Sequence, residues 1–420
     1  MIAALAIQQG VVFDGLNMME LGFENKLGEW KPYKTERRNF FLTGQSQTGK
    51  TSVLADLALR DIYNGKNITV IGDDLTELIL RHIPRHRVPD VVYFNPALQP
   101  LAFNPMYQVP RDRYYALADA VVRTVHTLLS YESSTPVMDD YIRLTALTLM
   151  HISTASSSLV SLYYFLTDDE FRAEKLRGLH DPPLKKYWER FNRYTSKEKR
   201  DEVKSTLTKL SPFVFNPMLR DCLIQRGNHL DFNNKIVLVS LNDLAVGKSS
   251  ASFMGALALA TLSSQHNPST TLYIDDANRF GSKIIGEVLR LDTVHTILAA
   301  RSPRDFQEYN EIFKSADIVA FRCSPKDQEI LDDIFPIGPQ DIQLDKQRPF
   351  AFHFCACILE GTRTNRLEFI RYDFPRPPRN TRRGHKRVEA SIIDRCWHKY
   401  TLSKKGIDEL LSDVLDAKSD

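Results

Sequence analysis

Short, nearly continuous apolar runs recur along the chain, separated by longer stretches whose apolar residues return at spacings of three and four. Asn39-Phe40-Phe41-Leu42 is such a run, and residues 52–60 after it combine strong helix formers with helical apolar spacing. Residues 67–74 form an apolar run ending in two carboxylates, and residues 91–96 form one stopped by proline. Strand, helix and strand in alternation predict a parallel α/β unit. From about residue 106 to 233 the pattern becomes purely helical: Tyr114, Ala118, Val121, Val125 and Leu128 follow spacings of four and three, and Thr135-Pro136 with Asp139-Asp140 marks another helix start, Thr135 as its cap. Apolar runs return at 235–241, 271–275, 296–300 and 317–321; because they do not alternate, they predict strands covered on both faces. Runs at 350–359 and 367–374, joined by 360–365, predict an antiparallel hairpin that closes the sheet.

The connection after the first run carries the candidate chemistry. Gly44-Gln45-Ser46-Gln47-Thr48-Gly49-Lys50-Thr51 is a complete G-x-x-x-x-G-K-[ST] loop between a predicted strand and a predicted helix, the context the motif requires. Backbone N–H groups and a helix N-terminus face phosphates in such a loop, a lysine neutralises the β and γ groups, and the hydroxyl after it is a Mg²⁺ ligand. ATP and Mg²⁺ are therefore the expected ligands, with Lys50 and Thr51 in those roles. The expected fold class is α/β, a RecA-like P-loop NTPase with a mainly parallel sheet and an all-α insertion. Its expected division is 1–105 for an N-terminal hairpin and the first part of the core, 106–233 for the helical insertion, 234–374 for the second part of the core, and 375–420 for a basic linker and helical tail.

Composition narrows this little. The 420 residues, 43% of them hydrophobic, suffice for one large core with an insertion or for two domains, and a net charge of +3 neither supports nor excludes a nucleic-acid partner. The five cysteines include no C-x-x-C pair and leave an odd one, so neither a disulfide framework nor a zinc site is expected. Cys355 and Cys357 alternate with apolar residues and read as buried thiols on a strand. The longest apolar run, Phe253 to Ala260, falls short of the ~20 residues that span a bilayer, and no signal peptide is evident. A soluble, cytoplasmic protein without an integral membrane segment is expected. In the tail, residues 376–387 carry six Lys or Arg and no acid, which reads as a solvated linker or as a phosphate-binding arm.

Leu272-Tyr273-Ile274-Asp275-Asp276 is an apolar strand ending in two carboxylates, as a P-loop enzyme needs beside its phosphate loop. Asp275 is the expected Mg²⁺ residue with Thr51, and Asp276 the residue that orients or deprotonates the attacking water. Further segments resemble the HerA/FtsK superfamily of ring-shaped DNA-pumping ATPases, and within it the DNA-binding domain of type IV (TraG/TraD-like) coupling proteins. Residues 207–221, with Asn216-Pro217-Met218-Leu219-Arg220, resemble that family's "NPLLR" element; residues 318–327 resemble its "FRVGPEDA" strand end; residues 235–257 resemble its strand and glycine-containing helix; and residues 162–171 and 187–189 resemble its helical domain. The similarity runs from a predicted opening hairpin at 11–15 to the tail.

What the resemblance implies is an ATP-driven DNA translocase working as a homo-hexameric ring in conjugative transfer, as a helicase or in packaging. It further implies that Arg290 reaches a neighbouring subunit's site as an arginine finger, with Arg322 as second candidate. Two positions depart from the family: Asp276 stands where glutamate is usual, and Arg301 where a glutamine senses the γ-phosphate. The opposing expectation is a nucleotide-binding assembly scaffold whose hydrolysis is impaired by those two residues.

Overall fold

The computed structural model of the protein describes residues 18–26, 29–36, 38–126, 136–152, 157–227, 230, 235–264, 270–307, 309–332, 353–360, 363–370 and 382–415. Among them the strands in chain order are β1 (Met18–Lys26), β2 (Glu29–Glu36), β3 (Phe40–Thr43), β4 (Ile68–Ile71), β5 (Val91–Phe94), β6 (Ile236–Val239), β7 (Thr270–Ile274), β8 (Val294–Ala300), β9 (Asp317–Ala320), β10 (His353–Glu360) and β11 (Arg363–Ile370). The chain divides into two compact units.

The first unit, residues 1–87, 270–278 and 289–389, carries strands in the order β2-β1-β11-β10-β9-β3-β8-β7-β4. From β9 to β4 neighbours run parallel, Phe40 of β3 facing Ile297 of β8 and Asp317 of β9. The strands toward the other edge pair antiparallel. Every residue of β3 and β4 is buried, which explains their unbroken apolar runs. Helix Lys50–Tyr63 supplies Val53, Leu54, Leu57, Ala58 and Ile62 to this core, and Phe41 meets the rings of Phe306 and Phe313 at 5.8 and 6.0 Å. Asn39 ties the lower ends of three elements: its amide donates to the Leu289 and Ser315 carbonyls at 2.7 and 3.1 Å and accepts the Thr296 N–H at 2.8 Å.

The second unit holds the parallel pair β5 and β6 and the helices Tyr114–His126, Pro136–Ile152, Leu159–Thr167, Asp169–Arg177, Pro182–Asn192, Ser196–Phe215, Pro217–Leu223 and Lys248–Ser264. Trp188 centres the helical core; its indole N–H donates to Thr148 Oγ1 at 2.7 Å and its ring meets Phe165, Tyr187 and Phe191 edge-on. Helix Lys248–Ser264 is apolar on nearly all sides and buried accordingly, and at Gly255 a Cβ would lie 2.2 Å from the Phe280 ring. From residue 390 the tail docks on this unit: Tyr93 N–H donates to Cys396 Sγ at 3.4 Å, and Leu402 N–H to Gln225 Oε1 at 2.8 Å.

The mainly parallel sheet and the all-α region follow the sequence pattern, and three local expectations are corrected. Asp73 and Asp74 do not end a strand but open helix Asp73–Leu80, where carboxylates complement the positive end of the helix. Glu360 pairs with Arg363, so Arg363, Thr364 and Asn365 belong to β11 rather than to a long connection. Helix Arg382–Tyr400 begins inside the basic segment, so Arg382, Arg383, Lys386 and Arg387 are helical rather than linker. The expected hairpin at 11–15 and the Thr135 cap lie outside the described residues, as do the Cys355 and Cys357 side chains. Among the described residues no helix is long and apolar enough to cross a membrane.

Candidate nucleotide site

The loop from Gly44 to Thr51 begins where β3 ends. Gly44 has φ +151°, and a Cβ there would lie 2.8 Å from Phe321 Cβ and 3.1 Å from the Arg322 carbonyl, so only glycine lets the chain pass β9. Gln45 N–H then donates to that Arg322 carbonyl at 2.8 Å, and Thr48 Oγ1 donates to the Gln45 carbonyl at 2.8 Å. Gly49, at φ +102°, is the cap of helix Lys50–Tyr63, which has no side-chain cap and no acid in its first turn. Its leading N–H groups and the positive end of its dipole are thus left for an anion.

Lys50 is buried, with Nζ donating to the Gly44 and Gln45 carbonyls at 2.7 and 2.8 Å. Burial pulls its ammonium below the ordinary lysine value, against the raising effect of Asp275 and Asp276. Thr51 Oγ1 donates to Asp275 Oδ2 at 2.6 Å, and this contact joins residues far apart in sequence into one cluster. Asp275 follows β7, and its N–H donates to the Ile71 carbonyl at 2.9 Å. Burial pushes the Asp275 carboxyl above the usual range, the Thr51 hydroxyl opposes that shift, and the Asp276 charge adds to it. Asp276 sits at φ +47°, in the left-handed region that aspartate tolerates, with Oδ1 4.0 Å from Arg301 Nε. A helix N-terminus, a buried ammonium, a hydroxyl and two carboxylates form a set of groups suited to a magnesium–triphosphate pair.

Sequence comparison finds no matching family model and no matching curated protein. Solved structures are similar in fold. The bacterial conjugative coupling protein TrwBdeltaN70, in its unbound monoclinic form, matches with a TM-score of 0.57 at 13% identity, over 83% of this chain and 88% of that one. The plasmid coupling protein TrwB in complex with ADP and Mg²⁺ gives 0.56 at 14% identity, over 80% and 85%. VirB4 of Thermoanaerobacter pseudethanolicus gives 0.56 at 13% identity, over 85% and 97%. The chain has the coupling-protein fold.

Within that fold the predicted arginines separate. Arg301 and Arg322 follow β8 and β9 at the end of the strands where the phosphate loop lies, and it is the Arg322 carbonyl, not its exposed side chain, that touches the loop. Arg290 precedes β8 at the opposite end. The rise from Val294 to Ala300 alone is roughly 20 Å, so Arg290 lies far from the loop of this chain. It is 60% exposed and lies 3.7 Å from Glu311. Sequence reasoning missed Gly72, whose φ of +143° brings the chain so close to Asp275 that a Cβ would lie 2.9 Å from the Asp275 Cβ. The available signal was a glycine directly between an apolar strand and an acidic helix start.

Proposed function

We propose that the protein is a Mg²⁺-ATP-driven motor that moves DNA through a homo-hexameric ring. The observation that carries the nucleotide part is the loop Gly44 to Thr51, seated at the end of β3 with Thr51 hydrogen-bonded to Asp275 at 2.6 Å. Lys50 already points into the loop, and on binding its remaining donor, with one exchanged from the Gly44 or Gln45 carbonyl, turns to phosphate oxygens. The helix N-terminus and the loop N–H groups hold the remaining charge. Magnesium, held by Thr51 and Asp275, would offset the charge that develops on the phosphate oxygens. Asp276 is exposed enough to meet water and is the residue that orients it.

The DNA and ring parts rest on the shared fold with a conjugative coupling protein and on the position of Arg290, which suits a neighbour's site and not its own. The deciding experiment is ATP turnover with and without DNA, for the wild type and for Asp276→Asn. DNA-stimulated hydrolysis that the variant loses while keeping nucleotide binding is the expected result. One observation favours a second reading, a nucleotide-binding scaffold: the Arg301 cation faces the Asp276 carboxylate and competes with water for it. Tight nucleotide binding with no turnover, with or without DNA, would decide for that reading.

A further inference from the structure

The segments that follow β8 and β9 meet over the base of the phosphate loop, and one buried carboxylate joins them. Asp327, only 5% exposed, accepts a short hydrogen bond from Ser302 Oγ and one of 2.5 Å from Ser324 Oγ. Ser302 directly follows Arg301. Its own segment is stiffened by a reciprocal cap in which Arg304 N–H donates to Ser302 Oγ at 3.1 Å and Ser302 N–H donates to Asp305 Oδ2 at 3.2 Å. On the other side, Asp327 N–H donates to Ser324 Oγ at 3.2 Å, and the same segment presents the Arg322 carbonyl that receives Gln45 N–H. Arg304 adds a weaker tie, its Nε 3.9 Å from Asp327 and its Nη2 donating to the Lys326 carbonyl at 2.5 Å. The Arg301 segment is therefore tied to the phosphate loop by two sets of hydrogen bonds, Ser302 and Ser324 to Asp327 and Gln45 to the Arg322 carbonyl, joined by the short chain from Arg322 to Ser324.

We propose that Asp327 is a positioning residue that fixes the Arg301 segment against the phosphate loop, so that Arg301 is held where the terminal phosphate of a nucleoside triphosphate would lie. This rests on the nucleotide reading above and deepens it. The loop's own contacts, Gln45 to Arg322, Thr48 to Gln45 and Lys50 to Gly44 and Gln45, do not pass through Asp327, whereas the tie of the Arg301 segment does. Removing the carboxylate should leave diphosphate recognition intact and release only the group that reads the third phosphate.

The test compares ADP with a non-hydrolysable ATP analogue by calorimetry, in the presence of Mg²⁺, for the full chain. Asp327→Ala is expected to weaken analogue binding roughly tenfold, the worth of a hydrogen bond to a charged group, and to leave ADP binding within about twofold. Arg301→Ala should give the same selective loss, and the double variant no more than either alone, because both act through one contact. Ser302→Ala, at a half-buried position, removes the β8 side of the tie together with the Arg304 N–H cap bond and leaves Asp327 bonded to Ser324; it should reproduce the selectivity change even if Asp327→Ala does not fold. Equal weakening of ADP and analogue by Ser302→Ala, or additive losses in the double variant, would overturn the inference while leaving the nucleotide site standing. Failure of the wild type to bind either nucleotide would overturn both.

Discussion

Replacing Lys50 by alanine separates the two ways in which its ammonium can matter. In the free protein Nζ gives two hydrogen bonds to loop carbonyls, at 2.7 and 2.8 Å, so one of its three N–H donors is left and a second bond to a nucleotide requires one of those carbonyls to be exchanged. Two charge-assisted bonds to phosphate are worth roughly 3–6 kcal/mol, and two bonds from the same cation to carbonyls about 3 kcal/mol, so the exchange gains little by itself. What remains is Coulombic: about 4 kcal/mol for one phosphate charge at 4 Å and an effective dielectric constant of ~20. Lys50→Ala is therefore expected to weaken ATP binding on the order of 10²–10³-fold. Burial disfavours the ammonium while its two carbonyl bonds favour it, and because these oppose each other the nucleotide-free protein should lose little stability. Titration calorimetry with ATP at fixed Mg²⁺ and salt measures the first effect, and thermal denaturation without nucleotide the second. Wild-type affinity in Lys50→Ala would refute the phosphate-loop assignment, and a marked fall in stability would show that the lysine serves the fold instead.

The raised pKa of Asp275 makes its ionised form a burden on the folded state. That cost is absent below the ordinary carboxylate value and appears as pH rises through the folded-state value. Asp275→Asn should then be more stable than the wild type at neutral pH, with the difference closing as pH falls toward the carboxylate range, and it should lose the Mg²⁺ dependence of nucleotide binding; denaturation midpoints across pH check the first, and a less stable variant at pH 7 would contradict it. Gly72→Ala forces a side chain into a backbone region essentially reserved for glycine and against Asp275, at a cost of about 1–3 kcal/mol. Urea titration should show that loss together with weakened Mg²⁺-dependent binding; unchanged values for both would mean that the close approach is unimportant. Arg290→Ala subunits should bind ATP normally yet hydrolyse it slower by a factor of order 10³. Mixing them with Lys50→Ala subunits should restore activity where an intact loop meets an intact arginine, and no recovery in verified mixed rings would count against action in trans.

The sheet strands and the turn that leads from β3 into helix Lys50–Tyr63 could be read from the chain because their causes are local. An apolar run without alternation is what a strand covered on both faces requires, and β3, β4 and β6 are buried throughout. Gly44 and Gly49, at φ +151° and +102°, mark a turn with a backbone conformation that residues with side chains rarely adopt. Local pattern was also where small errors arose. Two carboxylates after an apolar run can end a strand or open a helix, and Asp73-Asp74 do the second because the chain reverses at Gly72.

The α/β class and the all-helical region follow from local pattern, and so do the residue types offered by the loop at Gly44 to Thr51, since each depends on residues within a few positions of one another. Tertiary structure alone decided which distant residues that chemistry recruits. Thr51 meets Asp275 across 224 positions because β7 stands in the same sheet as β3, separated from it by β8. Arg290 and Arg301 lie eleven positions apart in the chain and at opposite ends of β8, because an extended strand converts sequence separation into distance at its maximum rate. Ser302 meets Asp327 because β8 and β9 flank β3 on either side and their following segments converge above it, a closeness that arises only when parallel strands pack side by side.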